Sequence, residues 1–233
     1  MSEPWRVFAF GSLIGAPELP DAVIARYPAV LSGHRRAFNK ISSSRSCTIA
    51  FAIGNTRGLP TEFDIAGRRP RRRSLVLGTE VDDRGCIEGV VIEYGAERAA
   101  EALALTDQRE GYRVDAPCDA NGYLRQAVEV ACIGQQLSLR CDAYLSNTAD
   151  GCRLRKPHLS LTVQAQVLIN ATPRARRPAR DEGFYYLEGV RSALAAEGIV
   201  DPYLEQLAAE VRRLVGPSWQ AEIADPRLEF ATD

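Results

Sequence analysis

A short turn at the end of an apolar run is the part of this sequence best suited to hold charge. The run Trp5–Ile14 (WRVFAFGSLI) is aromatic and aliphatic up to Phe10 and then changes to Gly11-Ser12. Such a run predicts a buried strand, and Gly-Ser predicts a tight turn. Backbone N–H groups that converge in a turn can bind an anion or the oxyanion of a reacting carbonyl. The same pattern also fits a first strand that ends in an ordinary turn.

A second candidate is the carboxylate of Glu110 in the run Arg109-Glu-Gly-Tyr112. A glycine after a helical stretch favours the end of the helix, so Glu110 is expected at the helix end, just after the predicted helix Ala96–Asp107. Taken alone, this pattern fits a solvated glutamate as well as a general base. His34 and His158 are the only histidines, and neither has the spacing of a metal site or a catalytic triad.

The elements that must position these residues are mostly strands in the first two thirds of the chain. Composition predicts seven strands, with a hairpin turn at Asp82–Gly85 and a helix over Ala96–Asp107. The predicted strands are Val7–Phe10, Ala29–Ser32, Cys47–Ile53, Ser74–Val81, Cys86–Tyr94, Leu124–Cys132 and Leu137–Leu145.

The last third of the chain has a helical pattern. Helices are predicted over Leu159–Ala171, Glu182–Glu197 and Pro202–Val215, with Gly198 ending the second and Asp201 preceding the third. Strands followed by helices predict an α+β fold. We expect one domain over 1–217 and a tail over 218–233.

Composition narrows the class of protein. The net charge is −1, which gives no indication of a nucleic-acid or membrane partner, and Lys40 and Lys156 are the only lysines among 29 basic residues. The six cysteines are widely spaced, which argues against a zinc site. Free thiols, no secretory signal and no long apolar segment predict a cytoplasmic protein. The stretch Asn55–Arg73, with its Arg68–Arg73 cluster, is expected to be a mobile, solvated loop.

Two motifs together resemble those of a known family. Phe10-Gly-Ser-Leu-Ile14 after an apolar strand resembles the Tyr-Gly-Ser-Leu-Ile signature of the γ-glutamylcyclotransferases, especially the ChaC-like, glutathione-degrading branch. Arg109-Glu-Gly-Tyr112 resembles that family's Arg-Glu and Gly-Tyr pattern, with a shorter spacing. Weaker similarities include Gly33–Phe38, which resembles a Gly-x-x-Arg-x-Phe motif, and Tyr144 in a late strand.

The resemblance implies a fold, an activity and a set of site residues. It implies a mixed sheet or small barrel core with flanking helices and a helical C-terminal third. It implies release of 5-oxoproline from glutathione or a related γ-glutamyl amide, with Glu110 as general acid and base and with no cofactor or metal. Burial is expected to raise the pKa of Glu110, since a carboxylate of ordinary pKa is a weak base. The expected substrate-binding residues are Phe10, Gly11, Ser12, Leu13, Ile14, Arg35, Tyr112 and Tyr144.

The sequence departs from the family pattern at several positions. Phe10 replaces the usual Tyr and so lacks a hydroxyl, and Gly15 and Leu59 replace an aromatic residue and a Thr. These departures bear on which substrate is accepted more than on which type of reaction is catalysed. Two alternatives therefore stay open: a pathway-specific cyclotransferase that acts on a dedicated metabolite, and a non-catalytic protein that binds a γ-glutamyl compound or a partner protein.

Overall fold

The computed structural model describes residues 3–48, 61–63, 70–117, 120–149, 152, 159–169, 171–172 and 183–215. Its seven strands are β1 (Trp5–Ala9), β2 (Val23–Thr48), β3 (Thr61–Phe63), β4 (Pro70–Tyr94), β5 (Tyr123–Cys132), β6 (Ser138–Ser146) and β7 (Ala171–Thr172). Its helices are α1 (Ala99–Glu110), α2 (Leu161–Ile169), α3 (Gly183–Ala196) and α4 (Pro202–Val215), with a 3-10 turn at Pro20–Ala22.

The contacts within the chain form two compact units. The first contains Met1–Ile41, Val76–Pro157 and Gly189–Asp201, and the second contains Ser42–Leu75, His158–Glu188 and Pro202–Asp233. The single domain over 1–217 stays a prediction. The tail over 218–233 lies outside the described residues.

The first unit is a closed five-stranded barrel. Strand β1 pairs antiparallel with β4 and parallel with β6, which pairs antiparallel with β5. Strand β5 pairs antiparallel with β2, and a pairing of β2 with β4 closes the ring. Large apolar side chains are buried on both faces of the barrel strands: Val7 and Phe8 are successive residues of β1 and point to opposite faces, yet both are buried. Fully buried examples are Val7, Phe8, Phe38, Leu77, Ile87, Ile92 and Tyr94.

The second unit contains the packed pair α2 and α4. Buried side chains line these helices, and polar contacts join them at the edge of the packed face. Thr162 donates a hydrogen bond to Glu210 at 2.7 Å, and the Tyr203 hydroxyl donates to Gln164. The apolar residues of this pair are Val163, Val167, Leu168, Leu204, Leu207 and Val211. In the same unit β3 pairs with the start of β4, and β7 pairs with the end of β2.

The α+β prediction and the expected barrel core are therefore confirmed, but the predicted hairpin is wrong. The structure continues one strand, β4, through Asp82–Gly85. Gly85 serves another purpose there, because a Cβ at this position would lie 2.7 Å from the carbonyl oxygen of His34. Its lack of a side chain thus allows a close approach to β2. Of the expected loop Asn55–Arg73, residues 61–63 and 70–73 are strand, and the rest lies outside the described residues.

Helix α1 sets the position of Glu110 through the way it ends. Gly111 has a left-handed φ of 68°, and its N–H donates to the Gln108 carbonyl at 3.3 Å. The N–H of Tyr112 donates to the Asp107 carbonyl at 2.9 Å. Glycine adopts this conformation without steric cost, and the two bonds satisfy carbonyl groups of the last helical turn. Glu110 is consequently the last helical residue, three residues later than the sequence pattern predicted.

Candidate active site

The turn that follows β1 leaves several backbone donors available. The N–H of Ile14 donates to the Gly11 carbonyl at 3.0 Å, and the N–H of Ala16 donates to the Ser12 carbonyl at 3.2 Å. The N–H groups of Gly11, Ser12 and Leu13 donate to no acceptor within the described part of the chain. Leu13 and Ile14 are buried and anchor the turn. Adjacent backbone N–H groups without an internal acceptor are the kind of donors that an anion or oxyanion site requires.

Arg109 connects this turn to the end of α1. Its Nη2 atom donates to Ser12 Oγ at 3.2 Å. Its Nη1 atom donates to the Ala16 carbonyl and to Glu18 Oε1, the latter at 3.0 Å. One guanidinium thus makes three contacts with the stretch that follows β1, and it belongs to the residue next to Glu110. The two motifs that are nearly a hundred residues apart in sequence therefore meet in space.

Glu110 is a largely buried carboxylate. Its side chain is 19 % exposed, and its Oε1 atom lies 3.7 Å from Arg109 Nε. Burial raises the pKa of Glu110, while the positive charges of Arg109 and Lys40 partly offset that rise. The predicted direction of the pKa shift is thus confirmed. A carboxylate with a raised pKa is a better proton acceptor than an exposed one, which suits general acid and base work near neutral pH.

Phe10 and Arg36 support the turn from within the barrel. The Phe10 ring is buried and packs at 6.4 Å from the Phe8 ring. The carbonyl oxygen of Phe10 accepts a hydrogen bond from Arg36 Nε at 3.0 Å. Arg36 is 1 % exposed and also donates to the Glu88 carbonyl and to the Asp201 carboxylate. This buried guanidinium therefore joins the end of β1 to β4 and to the residue before α4.

Arg35, the arginine proposed from the sequence to bind substrate, lies on the surface. Its side chain is 56 % exposed and forms ion pairs with Glu80 at 2.5 Å and with Asp82 at 4.0 Å. The role assigned to Arg35 stays a prediction. Counting from Gly33, the Arg of a Gly-x-x-Arg-x-Phe motif falls on Arg36, so the motif itself held the signal for the residue that contacts the turn.

Tyr112 and Tyr144 lie together beside the last turn of α1. Their rings are in an edge-to-face arrangement 6.4 Å apart, and the Arg125 guanidinium lies 5.3 Å from the centre of the Tyr112 ring. The Tyr144 hydroxyl donates to Asp107 Oδ1 at 2.6 Å, and Arg125 donates to Asp107 Oδ2 at 2.7 Å. Burial and the neighbouring Asp107 carboxylate raise the pKa of Tyr144. Both tyrosines are thus held next to the helix that carries Glu110.

An open groove of about 700 Å³ begins at Tyr112. Its walls are residues of α1 and of the segment that follows it, and neither Glu110 nor the Ser12 turn is among them. The lining residues are Ala104, Asp107, Gln108, Tyr112, Arg113, Val114, Asp115, Ala116 and Pro117. The lining of this groove therefore includes Tyr112 and Asp107 but neither Glu110 nor a residue of the turn.

Lys40 is a further charged residue that the sequence analysis left without a role. It lies on β2, is 9 % exposed, and its Nζ atom is 4.4 Å from the centre of the Tyr123 ring. Burial lowers the pKa of Lys40, and the negative charge of Glu110 opposes that change. The sequence signal that could have drawn attention to Lys40 was the rarity of lysine, because nearly all basic residues of this chain are arginine.

Other chemistries have little support in the part of the chain that the structure describes. No group of three or more His, Cys, Asp or Glu side chains lies close enough to hold a metal ion within those residues. Burial raises the pKa of the Cys141 thiol to about 12, so it stays protonated. None of the described helices has the length and apolar character needed to cross a bilayer. His158 lies outside the described residues.

Solved structures with a similar fold are cyclotransferases. No protein-family model matches the chain, and no curated protein sequence does. The structure of a yeast γ-glutamyl cyclotransferase specific to glutathione, in selenomethionine-labelled form, is 21 % identical, with a TM-score of 0.61 over 91 % of this chain and 97 % of that one. A second structure of a yeast γ-glutamyl cyclotransferase specific to glutathione is 20 % identical, with a TM-score of 0.58 over 92 % and 100 % of the two chains. The chain therefore has the γ-glutamyl cyclotransferase fold, as the resemblance of its two motifs predicted.

Proposed function

We propose that this protein is a γ-glutamylcyclotransferase that releases 5-oxoproline from glutathione or a related γ-glutamyl amide. The observation that carries the proposal is the contact of Arg109 with Ser12, which brings a buried carboxylate of raised pKa next to a turn with free N–H groups. The fold shared with two structures of a yeast γ-glutamyl cyclotransferase specific to glutathione supports it. We also infer a cytoplasmic location from the free cysteines, since thiols stay reduced there.

The reaction needs little more than a curled substrate and one base. The α-amine nitrogen of the glutamyl group attacks its own side-chain carbonyl carbon, the amide C–N bond breaks, and a five-membered lactam forms. Holding the chain in that conformation supplies an effective molarity on the order of 10⁵ M or more. The Gly11–Leu13 turn is suited to this task because it is anchored by Leu13 and Ile14 and supported by Arg36.

Glu110 handles the protons. The substrate enters with an ammonium group, which cannot attack until it loses a proton, and the Glu110 carboxylate accepts it. Glu110 then returns a proton to the departing nitrogen as the C–N bond breaks. In the complete reaction the ammonium loses two protons, and both end on the released amine. The same residue thus acts first as base and then as acid.

The turn stabilises the negative charge that develops on the carbonyl oxygen. The free N–H groups of Gly11, Ser12 and Leu13 are its donors, and one well-placed donor of this kind contributes about 3 kcal/mol to transition-state stabilisation. Phe10, Ile14, Tyr112 and Tyr144 form the surrounding walls in this proposal, and Arg35 contacts a more distant part of the substrate.

The test is a direct assay of 5-oxoproline with glutathione and a panel of γ-glutamyl amines. We expect product from at least one of them and a loss of about 10²- to 10⁴-fold in kcat for Glu110→Gln, with substrate binding retained. Product from another amide but not from glutathione would favour the pathway-specific enzyme. No product from any amide, together with tight binding of one, would favour the non-catalytic alternative. A fully active Glu110→Gln variant would remove this residue from the mechanism.

A further inference from the structure

Lys40 is a buried cation that has no anionic partner. No carboxylate lies within 4.0 Å of its Nζ atom and no hydrogen bond satisfies it in the described regions, where its one close contact is the face of the Tyr123 ring. The Tyr123 hydroxyl donates to the Leu77 carbonyl, and no hydrogen bond joins it to Lys40 among the described residues. Withdrawing most of the hydration of an ammonium group without supplying an anionic partner is costly, and an anionic ligand bound beside it would offset that cost.

The neighbouring polar network does not involve Lys40. Asn39, the residue before it on β2, donates to the Thr79 carbonyl at 2.9 Å and accepts from Ser146 Oγ at 3.2 Å. Successive residues of a strand point to opposite faces of the sheet. The side chains of Asn39 and Lys40 therefore lie on opposite faces of β2, and Lys40 is not part of the hydrogen-bond network around Asn39.

Glu110 is the acidic group that acts electrostatically on Lys40. The influence is mutual: the Glu110 charge raises the pKa of Lys40, and the Lys40 charge lowers the pKa of Glu110. The groups that act on Glu110 are Arg109, Lys40 and Glu18, and Arg109 is already engaged with the turn. The sheet geometry also places both groups on one side: Tyr123, whose ring contacts Lys40, shares a face of β5 and β6 with Tyr144, and the Tyr144 hydroxyl donates to Asp107, one helical turn before Glu110. Lys40 and Glu110 are thus opposite charges on the same side of the sheet, and no ion pair joins them among the described residues.

An α-amino acid head group matches this arrangement. Its ammonium and carboxylate are attached to one carbon atom, so it can present a positive charge to an acid and a negative charge to a lysine at the same time. A charge-assisted hydrogen bond on each side would satisfy both buried protein groups. Glu110 alone would accept any primary amine, and Lys40 adds a requirement for the neighbouring carboxylate.

We propose that Lys40 binds the α-carboxylate of the γ-glutamyl group while Glu110 binds its α-ammonium. This inference rests on the proposed function and narrows its substrate class to γ-glutamyl amides with a free α-carboxylate. The N–H groups of the turn are then left for the reacting carbonyl oxygen. Amides of 4-aminobutanoate, which lack the carboxylate, and γ-glutamyl amides whose α-carboxylate is a carboxamide are poor substrates.

The test compares two substrates with the same leaving amine, a γ-glutamyl amide and its α-carboxamide analogue. For the wild-type protein we expect kcat/KM to favour the free acid by about 100-fold or more, because an unpaired buried charge penalises the analogue. In Lys40→Met that preference should fall at least tenfold, and in Lys40→Arg it should be partly retained. Products are measured by mass spectrometry as 5-oxoproline and its amide. An unchanged preference in Lys40→Met would overturn the proposal.

A binding experiment separates this inference from the proposed function. Calorimetry with Glu110→Gln and with the double variant Glu110→Gln, Lys40→Met measures affinity for the same two compounds without turnover. We expect the single variant to prefer the free acid and the double variant to bind both compounds alike. Equal affinities in the single variant would reject the role of Lys40 even if wild-type protein is an active cyclotransferase. If no compound is cyclised but the preference is found, the proposed reaction fails and the carboxylate site stands.

Discussion

Arg109 Nη2 donates a hydrogen bond to Ser12 Oγ at 3.2 Å, so the residue next to the candidate base holds the turn that would receive the substrate. The guanidinium also contacts the Ala16 carbonyl and Glu18. Its planar fork can make these contacts together, which a lysine could not reproduce. The relative position of Glu110 and the turn therefore depends on one side chain.

Arg109→Met is expected to lower kcat/KM about 100-fold, because a small displacement of the reacting groups is enough for such a loss. It should also shift the acid limb of the pH profile upward, since the Arg109 charge lowers the pKa of Glu110 and is lost in the variant. Steady-state kinetics between pH 5 and pH 9 measure both effects. Arg98→Met, which removes an exposed arginine just before the same helix, serves as the control and should leave both unchanged.

Glu110→Gln is expected to raise the melting temperature at alkaline pH. The ordinary pKa of the carboxyl is 4.5 and burial raises the pKa in the folded protein, so between these values the folded state holds a proton that the unfolded state has lost. Stability contributed by Glu110 therefore falls as pH rises through this window. The variant should melt above the wild type at pH 8 and together with it at pH 4.

Glu101→Gln is the control for that comparison, because the pKa of Glu101 is shifted in the opposite direction to that of Glu110. Glu101 is exposed on the same helix, and its hydrogen bond with Arg98 lowers its pKa. Its ionised form is therefore slightly favoured by folding, so the amide should not stabilise the protein at pH 8. A Glu110→Gln variant that melts below the wild type at pH 8 would contradict the inferred burial cost of the carboxylate.

Arg36→Met is expected to destabilise the protein by about 3–5 kcal/mol, because it leaves the Asp201 carboxylate without its buried partner. The loss should appear as a lower midpoint in urea unfolding followed by circular dichroism. Arg35→Met changes the adjacent, exposed residue and should cost about 1 kcal/mol or less. If Arg35 contacts substrate, Arg35→Met raises KM without that loss of stability. Equal destabilisation by the two variants would contradict the inference that the buried contacts of Arg36 stabilise the fold.

Gly78→Ala is expected to destabilise the barrel by about 1–3 kcal/mol through overpacking. A Cβ there would lie 2.2 Å from Ser146 Oγ and 2.4 Å from Asn39 Oδ1, within a buried polar network. Gly189 is the matched control: a Cβ at this helical position meets nothing within 4 Å, so Gly189→Ala should stabilise by about 0.5–1 kcal/mol. Thermal unfolding of both variants measures the contrast, and a neutral Gly78→Ala would contradict the inferred packing.

Local sequence signals predicted the individual elements well. Helix α4 has the predicted bounds Pro202–Val215, and Gly198 has the left-handed φ of 74° expected at the end of a helix. These features depend on residues close together in the chain, where capping and periodicity act. The hairpin at Asp82–Gly85 failed because its glycine is required by the backbone of a distant strand. Closure of the barrel by β2 and β4 is likewise a pairing between distant residues, and composition alone does not encode it.

The site was predicted less completely than the elements. Family resemblance indicated Glu110, the Ser12 turn and the motif that contains Arg109, but the contact by which Arg109 joins the two is apparent only in the structure. Arg36 and Lys40 were missed because burial of a charge cannot be judged from a strand that also contains exposed polar residues. What distinguishes Lys40 from a surface lysine is that its ammonium group lies over the Tyr123 ring. Lys40 belongs to β2 and Tyr123 to β5, and these strands are far apart in sequence.

The division of the chain into alternating stretches has a consequence for how the protein can be studied. Each compact unit is assembled from three separate stretches of sequence, so neither corresponds to a continuous fragment. Truncation anywhere between Ser42 and Asp201, from either end, would remove parts of both units, and a gene fragment encoding either unit alone would need its three stretches rejoined by designed linkers. Point substitutions in the full-length chain are consequently the sound route to dissecting this molecule.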